Sequence, residues 1–100
     1  MKNENMRAYE AMYILPADLD DAAVGAVIDK HTKLIKENGG EIEKAEKWEK
    51  RKLAYTINGH NDGNYCIIQF SAPPKVPAEL SRIFRISDEV IRGRIFLRES

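Results

Sequence analysis

Cysteine is nearly missing from this chain, and the one thiol it has lacks a mate. Cys66 stands alone, so no intrachain disulfide can form. Its setting in Cys66-Ile67-Ile68 marks it as a small buried hydrophobe rather than a reactive thiol. Histidine is almost as scarce. His31 falls on a helical apolar stripe, where a packed, hydrogen-bonded ring is expected, and His60 sits among Asn and Gly with no second His or Cys beside it. Neither a metal nor a cofactor is expected. No apolar run approaches the roughly 20 residues that a membrane-spanning helix needs. Met1-Lys2-Asn3-Glu4-Asn5 has neither the apolar stretch of a signal peptide nor the Arg/Ser bias of a transit peptide, so the cytoplasm is the expected compartment. Also absent are a glycine-rich phosphate loop, a nucleophile elbow and a paired-carboxylate arrangement. Asp18, Asp20 and Asp21 lack the glycine-turned loop and distal glutamate of an EF-hand. The expectation is a protein that is not an enzyme.

An excess of one charge sign is missing as well, since 16 Lys/Arg balance 16 Asp/Glu. The distribution is another matter. Residues 1–49 carry 7 cations against 11 anions, and residues 50–100 carry 9 against 5. Six of the seven arginines lie in the second half. Such asymmetry predicts one acidic face and one basic face, with an anionic partner met by the basic one.

Residues 6–98 read as one domain, with residues 1–5 as a flexible N-terminal extension. Met6 to Leu15 is apolar on both alternating faces, as a central strand requires: Tyr9, Ala11, Tyr13 and Leu15 on one side, Met12 and Ile14 on the other. Asp18, Asp20 and Asp21 then cap a helix whose stripe is Val24, Val27, Ile28, His31, Leu34 and Ile35, stopped by Asn38-Gly39-Gly40. Glu41 to Ile57 is strand-like with two interruptions, and its charged first half suits an edge. Asn58 to Asn64 is turn chemistry throughout and predicts a long loop before a strand from Tyr65 to Ala72. Pro77 fits the first turn of a second helix that carries Leu80, Ile83 and Phe84 inward. Val90 to Arg98 is the last strand. The order βαββαβ predicts an α+β, ferredoxin-like split-βαβ fold, a four-stranded antiparallel sheet with both helices on one face.

Three features carry binding rather than catalysis. Lys50-Arg51-Lys52 places three cations ahead of the strand-like run Leu53-Ala54-Tyr55-Thr56-Ile57, which suits holding a polyanion beside a rigid sheet. A solvated charge run at a bulge would look the same. Arg92, Arg94 and Arg98 alternate along the last strand beside Phe96. Arginine without lysine there favours bidentate phosphate recognition over mere solubility. Tyr65 and Ile67, joined by Met12, Ile14 and Trp48, form an apolar patch on the uncovered sheet face. Such a patch either stacks bases or docks a protein. No aromatic RNA-recognition motif is present, so a protein partner is the expected occupant while the cations meet RNA.

Met6-Arg7-Ala8-Tyr9-Glu10, the Asn38-Gly39-Gly40 stop, Arg51-Lys52-Leu53-Ala54-Tyr55-Thr56-Ile57 and Gly63-Asn64-Tyr65 together resemble the bacterial small-subunit ribosomal protein six family. The similarity runs from about Met6 to Arg98. Glu49 stands where that family usually has Gly, which bears on the geometry of a local bulge, and Lys52 replaces a more usual Arg, Asp, Glu, Gln or His. The resemblance implies a structural constituent of the small ribosomal subunit. It would bind the central domain of small-subunit ribosomal RNA together with small-subunit ribosomal protein eighteen. Arg7, Arg51 and Arg92 follow most directly from that resemblance; Arg94 and Arg98 rest on strand alternation, and Lys50 and Lys52 on the cation cluster. The alternative is a regulatory or small-ligand module, because fold alone does not select a function. Glycines and small polar residues at a helix N-terminus would favour that alternative, whereas here the strands carry the charge. A phosphate-binding enzyme on this fold would need a cationic loop where Pro16 to Asp21 is acidic.

Overall fold

The structure is a computed structural model and describes residues 6–57 and 59–98; the side chains of residues 49–51, 54–57 and 60 lie outside that description, as do residues 1–5. Its first strand, β1 (Arg7–Pro16), follows directly from alternation. Tyr9, Ala11, Tyr13 and Leu15 all point into the core, and the intervening residues form the other face of the sheet. α1 (Asp21–Glu37) starts at Asp20, whose Oδ1 accepts from the Ala23 N–H at 2.8 Å. This satisfies one of the donors that a helix start leaves open. At the other end, the Gly39 N–H donates to Lys36 O and the Gly40 N–H to Ile35 O. Gly39, at φ +94°, supplies the left-handed residue that this stop needs. Val24, Val27, Ile28, His31 and Ile35 are the buried stripe.

β2 (Glu41–Ile57), β3 (His60–Ala72), α2 (Lys75–Ile86) and β4 (Arg92–Leu97) complete the chain. All pairings are antiparallel and the strand order is β2-β3-β1-β4. β1 and β3 are therefore central, while β2 and β4 are edges. α2 buries Val76, Leu80 and Phe84 on the same side of the sheet as α1. Its close approach to β4 depends on Gly93, where a Cβ would lie 2.5 Å from Phe84 Cδ2. The expected α+β, ferredoxin-like architecture is the one observed.

Two expectations need correction. The long loop expected over residues 58–64 is strand from His60 onward, since β3 begins there and Ile57 pairs with His60; Gly59 is a turn and residue 58 lies outside the described residues. The polar residues of that stretch sit in a two-stranded ribbon with β2, which satisfies their backbone groups without a loop. Asn64 is even fully buried, its Nδ2 donating to Pro16 O at 2.8 Å and tying β3 to the end of β1. His31 is packed as expected but not hydrogen-bonded: both ring nitrogens are buried with no partner among the described residues. Aromatic edges hold it instead, with ring centroids 5.0 Å from Tyr13 and 5.2 Å from Phe84. Burial, reinforced by nearby Lys30 and opposed by Glu89, pulls its pKa down to about 4. Burial likewise pushes the Cys66 thiol up to about 12, against a smaller opposite pull from Lys47.

Candidate nucleic-acid interface

Strand register sorts the uncovered face into four rows running from β4 to β2. The first is Arg92, Ile14 and Tyr65, and the second Arg94, Met12, Ile67 and Glu46. The third is Phe96, Glu10, Gln69 and Lys44. In the fourth, Ala8 pairs with Ser71, which pairs with Glu41, and the Arg98 N–H donates to Ala8 O. Two side chains on this face are set by bulges in β2. The register shifts between Ile42 and Lys44 and again between Lys47 and Glu49, leaving Glu43 and Trp48 as the extra residues. A bulge turns a side chain away from strict alternation. Trp48 therefore meets Tyr65 edge-on, at 6.3 Å between ring centroids, and keeps 48% of its surface exposed. Lys47, beside it, faces the helices and pairs with Asp21 at 2.7 Å.

The first two rows bring together most of the expected partner-binding patch. Met12, Tyr65 and Ile67 are half-buried and adjacent, with Trp48 above them on the β2 side. Ile14 belongs to the same row but is 8% exposed, so it supports the patch and offers it little surface. Arg92 and Arg94 are exposed and border the patch along β4. Among the described residues exposed Arg94 makes no ion pair. Two guanidinium groups beside an apolar strip can meet phosphates while the strip meets a protein.

Other expected cations lie apart from that border. Lys50, Arg51 and Lys52 pair with Asn64, Gly63 and Asp62 on the opposite edge, three strand spacings or roughly 14 Å from β4. Lys52 is exposed; the side chains of Lys50 and Arg51 lie outside the described residues. Arg7 is exposed but shares the parity of Tyr9 and Ala11, at the end of β1 remote from Arg92. Arg98 is held internally, its Nη1 2.9 Å from Glu43 Oε1. The Arg98 and Ser71 hydrogen bonds hold the Glu43 carboxyl below the usual carboxylate range. Sequence reasoning missed Glu43, because an even alternation count through β2 does not reveal the bulge. It also missed the Glu10–Gln69 contact at 3.4 Å, which makes the middle of the third row polar beside exposed Phe96.

No helix among the described residues is long and apolar enough to cross a membrane. Nor, among them, do three His, Cys, Asp or Glu side chains gather as metal ligands.

Comparison with known proteins bears on the whole domain. The family model described as ribosomal protein S6 matches residues 8–96. Small ribosomal subunit protein bS6 of Clostridium novyi is 47% identical over 87 residues, covering 87% of this chain and 92% of that protein. The bS6 protein of Desulforamulus reducens is 41% identical over 90 residues, covering 90% and 95%. Among solved structures, 30S ribosomal protein S6 from Thermotoga maritima superimposes with a TM-score of 0.85 at 32% identity, over 93% of this chain and 88% of that one.

Proposed function

The chain belongs to the ribosomal protein S6 family, a non-enzymatic family of the small ribosomal subunit, and on that premise we propose how it is held there: it binds small-subunit ribosomal RNA through its strand-borne cations while its uncovered sheet face docks small-subunit ribosomal protein eighteen. As a small-subunit protein it resides in the bacterial cytoplasm, on the ribosome. The observation that carries the reading is the composition of the first two rows. Exposed Arg92 and Arg94 border a half-buried apolar strip of Met12, Tyr65 and Ile67, with exposed Trp48 beside it. A strip of this kind on a sheet face that no helix covers is unfavourable in water and gains by being covered. Its cationic border is suited to phosphates converging on the same edge. Arg7, Arg51, Lys50 and Lys52 extend the anion-binding reading to other edges of the domain. The RNA partner is assigned to the central domain of the small-subunit RNA, where phosphate contacts set position and RNA shape supplies specificity.

The test uses an in-vitro transcript of small-subunit RNA, purified ribosomal protein eighteen and this chain. Replacing Ile67 with Asp places a charge in the apolar strip and should abolish co-migration with the protein partner, while the circular dichroism of the free domain is retained. Unimpaired partner binding by the Ile67→Asp variant would refute the docking assignment.

A further inference from the structure

Arg98 belongs to one edge of the sheet and Glu43 to the other, yet they form an ion pair. The geometry points to a clasp, in which Arg98, Glu43 and Ser71 close one end of the uncovered face and set the limit of the docking surface. Three features make the reach possible. The Arg98 N–H is anchored on Ala8 O at 2.8 Å, which fixes where the side chain starts. The residues beneath it, Ala8 and Ser71, are small, so a guanidinium can pass over two strands. The first β2 bulge takes Glu43 out of the ladder, and its carboxylate is turned inward over the sheet. Both oxygens of that carboxylate are engaged, Oε1 by Arg98 Nη1 at 2.9 Å and Oε2 by Ser71 Oγ at 3.0 Å.

The clasp has a functional consequence that rests on the docking and RNA-binding reading above. A partner seated on the face finds an apolar floor in the Arg92 and Arg94 rows, a polar step at Glu10 and Gln69, and then a closed end. Its footprint stops there. Arg98 is accordingly a positioning residue and is withdrawn from the phosphate-binding set, although it has the same residue type and strand parity as Arg92 and Arg94.

Three measurements on the full chain test this. In the free protein, Arg98→Ala and Glu43→Gln should each lower the thermal midpoint by a few degrees, and the double variant should fall no further than the worse single. In Arg98→Ala, moreover, the Glu43 carboxyl should titrate at higher pH by NMR. Additive midpoint shifts, or an unmoved Glu43 titration, would overturn the clasp. In the ternary mixture with small-subunit RNA transcript and ribosomal protein eighteen, Arg98→Ala should leave the salt dependence of RNA binding unchanged. A slope shallower by about 0.7–0.9 would make Arg98 a phosphate ligand and overturn its withdrawal. The Arg92→Ala/Arg94→Ala variant separates the two readings. An unchanged slope there refutes the RNA border, while the clasp still stands or falls on the free-protein cycle.

Discussion

A neutral imidazole can occupy the contact between Tyr13 and Phe84 because those rings present edges and faces that need no hydrogen bond from it. An imidazolium there would be desolvated, with Lys30 adding repulsion and Glu89 only partly compensating. The folded pKa, near 4, lies below the ordinary 6.5, so the unfolded chain binds the extra proton more readily. His31 therefore contributes its full share of stability above about pH 6.5 and loses it as pH falls toward 4, a loss of about 3 kcal/mol. Urea titrations across that range should show this slope in the parent and a flatter one in His31→Leu. Gly93 is the second residue on which packing turns. Gly93→Ala should destabilise by about 1–3 kcal/mol, because the new methyl must displace the buried Phe84 ring; differential scanning calorimetry would check it. Neither effect was legible in sequence. A lone His on an apolar stripe announces burial but not the absence of hydrogen-bond partners, and a glycine in a strand gives no notice of which ring lies above it.

Elements were read more reliably than residues. Helix stripes recur every three or four positions and strand faces every two, so α1, α2, β1 and the second half of β3 were recovered from period alone. A cap among Asp18, Asp20 and Asp21 was equally visible, the structure places it at Asp20, and Asp20→Ala should cost about 1 kcal/mol, seen as a drop of about 4–8 °C in the thermal midpoint. Asn61, Asp62 and Asn64 favour turns by composition, while pairing with β2 satisfies the same backbone in a ribbon. Two interruptions in β2 and a bulge beside Glu49 were expected, but that Glu43 and Trp48 are the extra residues was not legible, for a related reason. Each bulge inserts one residue and resets alternation, so the side of the sheet could not be counted from either end. The charged first half of β2 was nonetheless recognisable as an edge, where Lys44 and Glu46 keep an unpaired rim hydrated.

At the scale of the whole molecule, one side is closed by helices and the other is divided lengthwise. Cations border the apolar strip along β4, and the clasp ends it. The βαββαβ order and both apolar faces of β1 made this plan legible, since a central strand with Met12 and Ile14 outward implies a second surface to be covered. The division between Arg94 and Arg98 was not legible: identical residues at even spacing differ only because the β2 bulge delivers a carboxylate to one of them. Removing both Arg92 and Arg94 should flatten the logarithmic salt dependence of RNA binding by roughly 1.5, at about 0.7–0.9 per phosphate contact. Filter binding from 50 to 400 mM potassium chloride would measure it.

Cys66, on a central strand and 1% exposed, faces the core and pairs across β1 with Tyr13. Burial pushes its ionisation upward and hides it from solvent, so the native thiol should resist alkylating reagents at neutral pH. Modification should therefore wait for the sheet to come apart, and the rate at which iodoacetamide consumes the single thiol becomes a clock for global opening. In the same assay, the Gly93→Ala chain should be labelled faster in proportion to its lost stability.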